Sequence, residues 1–183
     1  KSFRETFEVI TAQNVFAHVD DVHGFLKACF SVLSESGVVL IQTSQADMII
    51  DNQFDTIYHE HLSFFNSKSM KHCANSNGFS LVDVRKEPIH GGSYVFVLRK
   101  GDHDETLSHK EIEKEQAHSL FQESKYREYS QNCMKVVSEF KNKVNSYKNK
   151  GFKIIGYGAA AKGNTFLNFA DIKLDYIVDD NPL

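Results

Sequence analysis

The sequence predicts an α/β fold: two strand–helix–strand units separated by a charged helical stretch. Three observations carry this. Residues 7–44 run from an apolar segment through helical spacing to a second apolar segment. Residues 151–183 restart the same order. Between them, residues 104–150 turn rich in Lys, Glu, Gln and Ser.

The first segment, FEVITAQNVFAHV (7–19), is dense in β-formers at its start and reads as a buried strand to Thr11 or Ala12. Asp20 or Asp21 can cap the following helix, whose Val22, Phe25, Leu26, Cys29, Phe30 and Leu33 fall on one face. Gly37 is expected to stop it. VVLIQTS (38–44) is apolar on both faces, as in a parallel strand covered by helices. The crossover should be right-handed. A short helix over NSKSMKHCANSNG ends at Gly78. FSLVDVRKEPI and GSYVFVLRK then read as strands joined closely enough to pair antiparallel. In 104–150, Ser108 and Glu111 stand at capping-box spacing, and Val137, Phe140, Val144 and Tyr147 mark one apolar stripe on solvated helices. FKIIGYG, AAAKGNTFLNFA and LDYIVDD open the second unit.

Composition narrows the function. A net charge of −3 gives no basic surface for nucleic acid or anionic lipid. No stretch reaches the roughly 18 apolar residues of a membrane span, and no signal segment is visible. Cys29, Cys73 and Cys133 form no CxxC pair and read as reduced thiols of an intracellular protein. The chain begins at Lys1 in mid-pattern and stops just after a strand, so both ends are expected to be cut from a longer protein.

Chemistry concentrates in QFDTIYHEHLS (53–63). If Tyr58–His61 is extended, His59 and His61 share one face and Tyr58 and Glu60 the other. If it is a helical turn, Tyr58 and His61 come together. Either way an imidazole can face a cleft beside a strand end and take and return a proton near neutral pH. A polar surface turn is the plain alternative. An H-x-H metal site completed by His18 or His90 is another, although no recognised ligand spacing supports it. His18 follows a strand, where loops carry catalytic groups, but a histidine at a helix start fits equally. HGGS (90–93) marks a turn needing positive φ. GYGAAAKGN (156–164) sets glycines and Lys162 between strand and helix, where phosphate is bound, and Asp179 and Asp180 end the next strand; simple close packing remains open there.

Taken together, NVFAHVDD, QFDTIYHEHLSFF, PIHGGS and GYGAAAKGNT…IVDDNP resemble the S-adenosylmethionine-dependent C-methyltransferases that act on nucleotide-linked keto-sugars in deoxysugar pathways. The resemblance runs in order along nearly the whole chain. It implies the C-terminal half of a class I, Rossmann-like methyltransferase sheet over residues 1–100, a helical linker over 101–150, and the start of a C-terminal Rossmann-like domain over 151–183. It implies His61 as the base that removes a proton α to a keto group, with Tyr58, Glu60 and His18 in the same pocket. Asn14 and Val15 would keep one edge of the cofactor site. His90, Gly91, Gly158, Lys162 and Asn164 would hold the nucleotide-sugar. The family's zinc domain and the glycine-rich cofactor turn are not in this sequence, so zinc is expected only upstream, and the piece alone is expected to bind cofactor poorly and to be inactive. A cytoplasmic location and no metal in these residues follow from the same reading. Where the family carries an acidic-Pro-Tyr run, this chain has QTSQ (42–45), which bears on how the acceptor is placed. A nucleotide-sugar-binding protein without catalysis, or a nicotinamide-dependent oxidoreductase drawn from GYGAAAKG, are the rival functions.

Overall fold

A computed structural model describes residues 6–44 and 47–181. The chain divides into two compact units, residues 1–48 with 59–121, and residues 49–58 with 122–183.

The first unit is built on a four-stranded sheet. Strands β1 (Phe7–Gln13) and β2 (Leu33–Thr43) are parallel and are joined through a 3₁₀ turn (Phe16–His18) and helix α1 (Val22–Val32). Helix α2 (Ser67–Asn75) leads into β3 (Phe79–Glu87) and β4 (Ser93–Lys100), which pair antiparallel; β4 inserts between β2 and β3, giving the order β1-β2-β4-β3. Helix α3 (Thr106–Ala117) packs on β3 and α2. Leu26 and Cys29 of α1, Met70 and Ala74 of α2, and Val39, Ile41, Leu81, Phe96 and Leu98 of the sheet share one core.

Local chemistry explains most boundaries. Asp21 starts α1 by accepting the Gly24 N–H at 2.8 Å. Asn66 and Ser69 start α2 with a reciprocal capping box. The β3–β4 connection places His90, Gly91 and Gly92 in succession at φ 57°, 86° and 117°, a run that needs its glycines.

Three expectations are corrected. Gly37 does not end α1: Leu33 already leaves the helix at φ −77°, ψ 140°, and Gly37 lies inside β2. There the pairing jumps from Phe7–Leu33 to Val9–Val38, and a Cβ on Gly37 would stand 2.8 Å from the Leu33 side chain and 3.0 Å from the Phe7 carbonyl. Strand β1 is not buried. Among the described residues it has a neighbour on one side only, and Phe7 and Val9 are exposed. Ser108 and Glu111 form no capping box. Asp104 takes the Thr106 N–H at 2.9 Å, which starts α3 earlier and moves Ser108 into the helix body. The helix is also less solvated than its composition suggests, since Ser108, Glu111 and Glu115 are buried.

The second unit holds α4 (Glu123–Asn149), β5 (Ile155–Tyr157), α5 (Ala161–Phe169) and β6 (Tyr176–Val178), with β5 and β6 parallel. Val137 and Val144 of the expected stripe are buried against Ala170 and Ile172, while Phe140 and Tyr147 stay partly exposed. Residues 49–58 belong here: the Tyr129 hydroxyl donates to the Gln53 carbonyl at 2.7 Å, and the Phe54 ring stacks on Phe166 at 5.7 Å. Among the described residues no helix is long and apolar enough to cross a membrane.

Candidate functional site

Parallel strands in α/β sheets present ligand sites beyond their carboxyl ends. In the first unit those ends belong to β1 and β2. Asn14 leaves β1 at φ 52° and its N–H still donates to the Gln42 carbonyl at 3.1 Å, so the two strand ends stay joined. The chain then turns through Phe16–His18. Phe16 is fully buried, its ring 5.4 Å from Phe25 and 4.9 Å from Phe65. This anchor leaves His18 on the exposed end of the turn.

The loop carrying His61 docks on the same turn. The N–H groups of Leu62 and Ser63 both donate to the Ala17 carbonyl, at 2.9 and 3.2 Å. His61 is thereby buried to 9% exposure, and its ring meets that of His18 edge to face, centroids 4.7 Å apart. Phe64 covers another side at 6.1 Å. The imidazole is therefore nearly enclosed beside the carboxyl ends of the two parallel strands of a mixed sheet, and an imidazole is a group able to accept and return a proton near neutral pH.

The β3–β4 connection also meets the end of β2. The Gln42 amide donates to the Ser93 hydroxyl at 3.4 Å, and Ser93 donates to the Ile89 carbonyl at 2.9 Å. This ties the 88–92 turn, with His90 and Gly91 exposed on it, to the strand end. Two buried oxygens here, Asn14 Oδ1 and Thr43 Oγ1, have no hydrogen-bond partner among the described residues. Buried polar atoms without partners are uncommon and mark places where a ligand or water completes the bonding.

Residues 58–61 adopt neither regular geometry that the spacing allowed. A turn interrupts the extended run, so His59 and His61 do not share a face. His59 and Glu60 lie at the surface, 3.9 Å apart, while His61 turns inward. Tyr58 is half-buried and falls in the second unit. Among the described residues no group of three His, Cys, Asp or Glu could hold a metal ion. Gln45 of QTSQ and Pro182 of the last motif lie outside the described residues.

In the second unit, Gly158 takes φ 92° and its N–H donates to the Val178 carbonyl at 2.8 Å, joining the residue after β5 to the end of β6. Lys162 stands 3.6 Å from Asp55, and the Asn164 side-chain oxygen accepts from Asn168 at 2.9 Å. Asp179 accepts the N–H groups of Ala159 and Asn181, at 2.6 and 2.7 Å, which lowers its carboxyl below the usual range. The Tyr157 hydroxyl donates to Asp180. Both acids after β6 therefore tie that strand end to β5 and the loop that follows it, and Asp179 also holds its own turn.

Sequence reasoning missed Glu115. It is 1% exposed, and Tyr94 Oη and both donors of Ser67 point at it. Burial raises its carboxyl above the usual range against the pull of the Ser67 and Tyr94 hydrogen bonds, with the charge of Glu111 adding to the rise. The one sequence signal is the spacing of Ser108, Glu111 and Glu115, a polar helical stripe that faces inward.

Residues 88–183 match a family model described as C-methyltransferase C-terminal domain, and residues 1–84 match one described as methyltransferase domain. The chain is 29% identical over 163 residues to C-methyltransferase NovU of Streptomyces niveus, covering 87% of this chain and 39% of that relative.

Proposed function

The chain belongs to the C-methyltransferase family, and from that premise we propose that it carries the base-bearing part of an S-adenosylmethionine-dependent enzyme that methylates the carbon α to the keto group of a nucleotide-linked sugar. The observation that carries this is the enclosed His61 ring beside His18 at the carboxyl end of the parallel strands.

His61 accepts the α-proton. The electrons of the broken C–H bond pass into the enolate, and the enolate carbon becomes the nucleophile. When bound, S-adenosylmethionine supplies a sulfonium methyl as the electrophile for that carbon. The end of β1 fits one edge of such a cofactor: Asn14 Oδ1 is an open acceptor for an N–H donor, and the exposed Val15 offers an apolar contact. Proton removal by a positioned imidazole contributes about 10²–10⁴-fold. His18 holds the His61 ring plane. Tyr58, three residues ahead of His61 in sequence, is assigned the developing oxyanion, and Glu60, whose carboxylate lies at the surface beside His59, is assigned to the same motif without a hold on the His61 ring. His90 and Gly91 are assigned to the sugar. Gly158, Lys162 and Asn164 are assigned to the anionic part of a nucleotide ligand. By sequence, we assign residues 1–100 to the methyltransferase domain, 101–150 to a connecting helical region and 151–183 to a further Rossmann-like domain. The GYGAAAKG turn lies inside the stretch matched by the C-methyltransferase model, so we read it as part of this activity and not as a nicotinamide site.

The test uses the full-length protein in heavy water with a nucleotide-linked keto-sugar. The wild type should exchange the α-proton and His61→Ala should not, while cofactor binding by calorimetry persists. Exchange at the wild-type rate in His61→Ala would remove the assignment.

A further inference from the structure

We propose that Glu115 is a positioning residue for the base, a buried carboxylate that clamps the loop carrying His61 and the start of β4 beside the 88–92 turn. This rests on the reading of His61 as the base.

The geometry is specific. Glu115 projects from α3 and receives four hydrogen bonds. The Ser67 N–H reaches both carboxylate oxygens, at 2.9 and 3.1 Å, the Ser67 hydroxyl reaches one at 2.7 Å, and the Tyr94 hydroxyl reaches the same one at 3.0 Å. Ser67 is the first residue of α2, so the carboxylate fills one of the N–H groups that a helix start leaves open and meets the positive end of the helix dipole. Asn66 already caps that helix through the Ser69 N–H at 2.8 Å. Initiating α2 therefore does not require Glu115. What Glu115 adds is a fixed point six residues after His61. The segment between is held at its other end by the Ala17 carbonyl and in the middle by Phe65 against Phe16. Tyr94, the second tether, follows Gly92 by two residues and pairs in register with Thr43, whose hydroxyl is buried at the strand end.

All three donors are neutral. Burying a carboxylate against neutral donors costs more than filling the same space with an apolar side chain. Packing alone would be served by a leucine or methionine. A carboxylate accepts from both tethers at Oε1 and again from the Ser67 N–H at Oε2, where an amide would set its own N–H₂ against that donor.

The test uses the full-length enzyme with Glu115→Gln, Tyr94→Phe and His61→Ala. Glu115→Gln should slow α-proton exchange about ten- to hundredfold, the scale for a reacting group displaced by about 1 Å. Cofactor affinity should be unchanged and the KM for the sugar nucleotide should move far less than kcat. Ring signals of labelled His61, read by NMR without substrate, should shift in position and in titration midpoint. Glu115→Asp should recover part of the rate. Wild-type exchange, or slowed exchange with unmoved His61 signals, would overturn the clamp. Should Glu115→Gln not fold, Tyr94→Phe carries the same test with a smaller shift in the same direction, and no shift overturns the proposal. Exchange that survives in His61→Ala would sink the base assignment instead, and the ring signals would still report on the clamp.

Discussion

The His18 and His61 rings meet edge to face with centroids 4.7 Å apart, and one backbone carbonyl, that of Ala17, sets the distance between their loops. The two side chains therefore act as a unit. On the proposed assignment, in which the first removes the proton acceptor and the second loosens its orientation, we expect His61→Ala to lower methyl transfer by the full-length protein by about 10²–10⁴-fold and His18→Ala by roughly tenfold. The double variant should be no slower than His61→Ala alone, because groups in contact are not additive. Single-turnover rates check this. Multiplied losses would show that the rings act separately.

Glu111 and Glu115 lie one helical turn apart and titrate in opposite directions. Burial would raise the Glu111 carboxyl, but the ammonium groups of Lys86 and Lys114 outweigh it and hold it low. Burial raises Glu115. A lowered folded value contributes stability above the unfolded value, and that contribution is lost as pH falls through the folded one. A raised folded value contributes below the unfolded value and drains as pH rises through the folded one. Urea unfolding carried from well below to well above the ordinary Glu value of about 4.3 should show this, with the Glu111 change below that value and the Glu115 change above it. The deficit of Glu111→Gln should shrink on acidification, whereas that of Glu115→Gln should shrink as pH rises. Parallel curves for the two variants would contradict the assignment.

Hydrophobic period made the strands and helices of the first unit readable. The Pro88–Gly92 stretch made the antiparallel return readable, because consecutive glycines leave few alternatives to a tight connection. The misreadings share a cause. Gly37, Ser108 and Glu111 carry local preferences for helix ends, yet tertiary partners use them otherwise: a bulged strand for Gly37, and an inward polar face for the other two. The Tyr58–His61 run shows a cluster of titratable groups in the sequence but not its geometry. Period gives only extended or helical choices, and the turn that exposes His59 and buries His61 is neither. Glu115 was illegible because a lysine- and glutamate-rich helix gives no sign of which carboxylate faces inward.

Phe16 is buried completely at the base of the turn that positions His18, with Phe25 and Phe65 against its ring. Phe16→Ala should cost about 3–5 kcal/mol in a denaturant titration of the full-length protein. Phe16→Leu keeps most of the volume and should cost less than about 1.5 kcal/mol. If Phe65 transmits the loss to the His61 loop, amide exchange over 61–66 should rise in Phe16→Leu before global unfolding does. Unchanged protection there would mean that the Ala17 carbonyl alone holds the loop.

Lys162 and Asp55 sit 3.6 Å apart with side chains about one-third exposed. An ion pair that open to solvent is worth about 0–1 kcal/mol, so stability alone gives the lysine little reason to be there. If it serves the anionic part of a nucleotide, Lys162→Ala should weaken binding of a nucleoside diphosphate to the full-length protein by roughly tenfold, the loss of about 1.4 kcal/mol. The affinity should also fall more steeply with salt in the wild type than in the variant. Asp55→Asn should strengthen binding, because it removes a carboxylate that competes with the ligand for the ammonium. Calorimetry at two ionic strengths reads all three effects. Equal affinity in wild type and Lys162→Ala would return the lysine to its surface pair with Asp55.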